Sequence, residues 1–170
     1  MRKLITLAFI LSFSIIFYSC GSDKPDDLPV SLTANAEKSF NIIATAGSEA
    51  SQTVTFTLDD FAAIKDYKKY VESGELQTNS FIEVRGVTGA IELVNVKLSM
   101  NREPKKNFDL QNITQNGKFQ GINELKFLEN IINELSSRGT STVKLEYKAN
   151  TNITTPVEVA LYLNSRFSFN

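Results

Sequence analysis

The chain of 170 residues carries 18 basic and 19 acidic residues, a net charge of −1, one cysteine, no histidine and no tryptophan. Nucleic-acid binding rests on clustered lysine and arginine, and no such stripe appears, so no nucleic-acid partner is expected. Without histidine there is no Ser-His or Cys-His pair, no histidine zinc site and no imidazole base.

The first segment reads as a leader. Arg2 and Lys3 precede the uncharged run LITLAFILSFSIIFY from Leu4 to Tyr18. That run is short for a bilayer span, which needs about 20 residues. Two positive charges, a short apolar core and then small residues are the pattern of a secretory signal peptide. Ser19 and Cys20 follow directly, then Gly21 and Ser22, and GSDKPDD brings Asp23, Asp26 and Asp27 around Lys24 and Pro25. A stretch of that composition buries too little apolar surface to order itself, and it reads as a tether.

The leader followed by Cys20 resembles the lipobox of bacterial lipoproteins, here of the Bacteroidetes type, with Phe17 where leucine is usual. The resemblance implies cleavage before Cys20 by signal peptidase II and lipidation of the Cys20 thiol. Each buried methylene of an acyl chain contributes about 0.8 kcal/mol, so two or three chains hold a protein almost irreversibly. It implies an outer-membrane location, and the acidic cluster resembles a surface-export signal, so surface exposure is expected over a periplasm-facing arrangement. The expected organisation is a signal peptide over 1–19, a lipidated flexible tether over 20–36 and one β-rich domain over 37–170.

Within that domain apolar and polar residues alternate, the signature of half-buried strands. Val54, Phe56 and Leu58 oppose Thr53, Thr55 and Thr57, and Ile82 and Val84 oppose Glu83 and Arg85. Val94, Val96, Leu98 and Met100 oppose Asn95, Lys97 and Ser99; Val143, Leu145 and Tyr147 oppose Lys144 and Glu146; Val157, Val159, Leu161 and Leu163 complete the set. Segments 39–44 and 107–113 are weaker strand candidates, and GVTG at 86–89 and NREPKKN at 101–107 suit connections.

Two segments change period. Phe61, Ile64, Tyr67 and Val71 share a helical face, with Asp59 or Asp60 as a cap and Gly74 as the stop. In INELKFLENIINELSSRG, Leu125, Leu128, Ile131, Ile132 and Leu135 share one, with Asn123 as N-cap and Gly139 as αL terminator. The fold expected is mainly β: an antiparallel sandwich, immunoglobulin-like or jelly-roll-like, with two packed amphipathic helices. An α+β barrel gripping a helix is the alternative. The order strand, helix, strand, strand recurs around each helix without residue-level similarity.

Chemistry is sparse. With Cys20 lipidated no thiol remains, and GxGxxG, GxxxxGK[ST] and GxSxG are all absent, so no dinucleotide, P-loop or hydrolase-elbow motif is present. Carboxylate pairs such as Asp59 with Asp60, or Glu72 with Glu75, leave a hydrolase as a third-ranked reading. No DxDxDG loop offers a calcium site, and no metal or cofactor is expected. Tyr70 and Tyr162 are candidates for exposed rings, more simply read as half-buried tyrosines with wetted hydroxyls. The leading expectation is a non-catalytic interaction, adhesion or structural module with an unknown protein or glycan partner. A carrier of an apolar ligand, with Phe127 at the margin of the helix wall, comes second.

Overall fold

The segments of period two become strands that bury their apolar faces. The structure, a computed structural model, describes Pro25 and residues 27–101 and 106–170. The leader, Cys20, and residues 102–105 of the 101–107 connection lie outside the described residues. The strands are β1 (Ser31–Ala44), β2 (Glu49–Thr57), β3 (Val71–Leu76), β4 (Phe81–Arg85), β5 (Leu93–Met100), β6 (Asn107–Ile113), β7 (Gly117–Phe119), β8 (Thr140–Ala149) and β9 (Ile153–Phe169). An α-helix, α1, covers Ile122–Arg138, and 3₁₀ turns cover Leu58–Asp60 and Ala62–Tyr70.

The strands form two sheets, one ordered β1-β9-β4-β7 with β3 also paired to β9, the other ordered β2-β8-β5-β6. All pairings are antiparallel. With β3 set aside, the pairs β1–β9, β2–β8, β4–β7 and β5–β6 nest like the two arms of one long hairpin. Successive pairs fall alternately in the first and second sheet, which is the path of a jelly roll. The fold is therefore the mainly β sandwich that the alternation predicts, and of its two variants the jelly-roll order is the one formed. The barrel alternative does not form, because the strands divide between two sheets. Nor are the halves of the chain repeats side by side; the roll pairs the first half with the second.

The inner faces are filled by large apolar side chains. Phe40, Phe56, Phe61, Phe167, Leu93, Leu98, Leu128 and Ile131 are all fully buried. Helix α1 touches β3, β4 and β9 of one sheet and β6 and β8 of the other, so it covers the gap between them. Its Leu128, Ile131, Ile132 and Leu135 point inward, and Gly139, at φ 76°, ends it by donating its N–H to the Leu135 carbonyl at 2.7 Å. The N-cap is Gly121 rather than Asn123, which lies inside the first turn. Among the described residues no helix is long and apolar enough to cross a membrane.

Three local readings are corrected by the backbone, and the first expected helix forms with a 3₁₀ pitch. Strand β1 begins at Ser31 and buries Ala34 and Ala36, so residues 31–36, expected in the tether, belong to the first sheet. The sequence there looks soluble because its inward positions are small, and Lys38, which shares their parity, reaches out to Asp60 at 2.7 Å. The first expected helix is 3₁₀: Phe61, Ile64, Tyr67 and Tyr70 recur every third residue, which suits three residues per turn, and Phe61 itself breaks the helix at φ −97°, ψ 87°. Gly74 does not end that helix. It lies in β3, where a Cβ would come 2.5 Å from Ser136 Oγ and 2.8 Å from Ile132 Cγ2, so glycine is what lets β3 approach α1. Finally, Val94 leaves the buried face. Leu93 is buried in its place, Asn95 takes φ 54°, and the register with both neighbouring strands shifts there.

A candidate binding surface on the outer face of the second sheet

Of the carboxylates singled out in the sequence, Asp59 and Asp60 serve the fold. Asp59 accepts two hydrogen bonds from the Lys68 ammonium, at 2.6 and 2.7 Å. Asp60 accepts from the Thr57 N–H at 2.7 Å as the far member of a capping box and pairs with Lys38. Burial alone would raise the Asp60 pKa, but the Lys38 and Thr57 donors outweigh it and hold the carboxyl below its ordinary 3.8. Glu72 and Glu75 are exposed along β3. Tyr70 and Tyr162 are half-buried, and Phe127 is buried beside Phe108, with ring centroids 5.9 Å apart. Cys20 lies outside the described residues.

The outer face of the second sheet holds what the sequence alone does not reveal. Register places Ser51, Glu146, Lys97 and Asp109 in one row across β2, β8, β5 and β6; the next row is Thr53, Lys144, Ser99 and Asn107. Two hollows lie along this face and a third at its β6 edge. The first, about 390 Å³, lies where the Asn95 bulge parts β5 from β8 and is bordered by Glu49, Ser51 and Lys148. The second, about 380 Å³, is lined by Thr53, Lys97, Ser99, Asn107 and Lys144. The third, about 520 Å³, lies between β6 and α1, bordered by Lys106, Asn123, Lys126 and Asn130 above Phe108 and Phe127. Glu146 is shared by the first two and Asn107 by the last two, so the hollows join into one polar belt.

The belt's shape follows from backbone strain. Asn95 (φ 54°) and Gln111 (φ 62°) are the non-glycine residues of positive φ among the described residues, and they occupy neighbouring strands at the register shifts. Bulges bend a strand and re-aim side chains, and asparagine tolerates the left-handed region better than most residues. In the sequence Asn95 occupies an ordinary outward position of the alternation, and only its residue type, tolerant of the left-handed region, hints at the bulge.

Its chemistry is hydroxyl, amide and ammonium. Lys144 bonds Glu146 at 2.7 Å, Lys148 lies 3.7 Å from Glu49, and the Thr55 and Thr142 hydroxyls meet at 2.9 Å. Lys97, Lys106 and Lys126, by contrast, have no ion-pair partner among the described residues, and the Thr53, Asn95, Ser99, Asn107 and Asn123 side chains have no hydrogen-bond partner there. Among the described residues, five lysines against Glu49, Glu146 and Asp109 leave the belt's lining at +2 in a chain of net charge −1. Such a surface can bind and orient a polar ligand.

The fold and this face define a jelly-roll sandwich with one polar, trough-bearing sheet. No protein family and no curated protein matches the sequence. Among solved structures the chain is similar to one titled Desmodium yellow mottle tymovirus, at 13% identity and a TM-score of 0.41, over 89% of this chain and 91% of that one. It is also similar to the empty head of turnip yellow mosaic virus, at 10% identity and a TM-score of 0.35, over 89% of each chain. The jelly-roll assignment rests on the strand pairing described above.

Proposed function

We propose that the protein is a non-catalytic lipoprotein of the outer membrane, anchored through Cys20 and displayed at the surface, whose jelly-roll domain is an interaction module. The observation that carries the interaction reading is the belt: linked hollows lined by hydroxyls, amides and lysines that have few partners of their own. The anchor rests on the leader and Cys20, and display on the acidic residues that follow. Strand β1 begins at Ser31, so the stretch between anchor and fold runs from Cys20 to about residue 30. An apolar-ligand carrier finds less support, since the space between the sheets and α1 is occupied by Phe40, Phe56, Leu98, Leu128 and Ile131.

Protease treatment of intact cells, followed beside a periplasmic control protein, tests the reading. Digestion of this domain with the control intact is the expected result. Protection of the domain until the outer membrane is broken would overturn surface display.

A further inference from the structure

We infer that the belt takes an extended, negatively charged polysaccharide, with Lys97, Lys106 and Lys126 as the groups that meet its carboxylates or sulfates. This rests on the interaction reading above and narrows its ligand. Shape comes first. Strands in a sheet lie about 4.8 Å apart, so crossing four of them and continuing onto α1 spans roughly 25 Å. Joined hollows of that length suit a chain better than one small molecule.

Charge comes second. Among the described residues, lysines with neither an ion pair nor an aromatic ring contact are Lys65, Lys97, Lys106 and Lys126, and three of these four border the belt. Unpaired ammonium groups gathered at a trough attract an anion that the rest of an acidic protein repels. The remaining lining decides between anionic polymers. Ser99, Thr53, Asn107 and Asn123 each supply both a donor and an acceptor, which matches the hydroxyls of a sugar chain. A bound acidic peptide draws affinity from backbone pairing or from apolar side-chain pockets, and apart from Ala50, Tyr147 and Met100 the side chains lining the first two hollows carry hydroxyls, amides or charges. Asn95, at φ 54°, borders the first hollow at the bulge, where the register of β5 shifts against both neighbours.

The test uses the full chain in a neutral detergent, with polygalacturonate, neutral dextran and poly-L-glutamate as probes in a calorimetric binding assay. The expected result is binding of polygalacturonate that weakens as salt is raised and falls at least about tenfold in a Lys97→Gln, Lys106→Gln, Lys126→Gln variant. A Lys65→Gln control should bind as the parent does. These lysines have no ion-pair partner among the described residues to lose, so an unchanged thermal midpoint verifies that the triple variant is folded. Parent-like binding by the triple variant would overturn the inference, as would poly-L-glutamate binding as tightly or no binding of polygalacturonate. Binding of dextran alone would refute the charge assignment and leave the interaction reading standing; absence of all binding together with protease protection on intact cells would remove both.

Discussion

The outer faces of the two sheets have similar residue types and use them differently. On the first sheet, Arg85 lies 2.6 Å from Glu83, 3.1 Å from Glu37 and 3.5 Å from Glu158. Its pKa is raised by the hydrogen bonds to Glu83 and Glu37. Lys118 lies 3.6 Å from the Phe81 ring centre, Phe81 stacks on Tyr162 at 4.8 Å, and the Tyr162 hydroxyl accepts a hydrogen bond from Asn35 at 2.9 Å. Ring faces and charges there are already engaged within the molecule. On the second sheet Lys97, Lys106 and Lys126 have no ion-pair partner among the described residues, and the strained Asn95 borders the surface beside them. A face that is satisfied internally contributes to stability, whereas a face left unsatisfied is available to a ligand. Composition alone does not separate the two.

Substitutions can break this contrast. The largest effect belongs to the core that both faces share: Ile131→Ala removes a fully buried side chain and should cost about 2–5 kcal/mol in denaturant unfolding, with both faces lost together. Gly74→Ala should cost about 1–3 kcal/mol, because its Cβ pushes β3 away from Ser136 and Ile132. On the satisfied face, Phe81→Ala should cost about 1 kcal/mol by ending the stack on Tyr162 and leave ligand binding unchanged. Beside the belt the sign reverses: Gln111→Gly keeps the positive φ without its steric strain and should raise stability by about 0.5–1 kcal/mol, with binding unchanged. A belt substitution as costly to stability as Phe81→Ala would erase the distinction.

Acid provides a further test, at the 3₁₀ turn that joins the two sheets. The Asp60 pKa is lower in the folded chain than in the unfolded one, so its contribution to stability is complete above about pH 3.8 and is lost as pH falls through the lower folded value. Asp60→Asn should destabilise the protein at neutral pH, and the difference from the parent should shrink in thermal melts below pH 3.8. A difference that stays constant with pH would show that the charge on Asp60 is not what links β1 to the turn.

Most of the sandwich is legible in the alternation of strands such as β8 and β9, because one face packs on the core and the other meets water. Helix α1 is legible through its broad apolar face and Gly139. The start of β1 is not, since Ala34, Ala36 and Lys38 carry too little hydrophobicity to mark an inward face. The binding surface is harder still. Its rows bring together residues from β2, β8, β5 and β6, distant in the chain, and its first hollow lies at a bulge hinted at only by one asparagine. Lysines at 97, 106 and 126 read as scattered solvated charges until the roll sets them along one trough.

Backbone amide chemical shifts measured during a titration with polygalacturonate test the contrast most directly, because every residue of both faces reports at once. The account predicts perturbations at Thr53, Asn95, Lys97, Ser99, Asn107 and Asn123, with Asn35, Glu83, Arg85, Lys118 and Tyr162 unmoved. Perturbations centred on Phe81 and Tyr162, or no perturbation on either face, would contradict it.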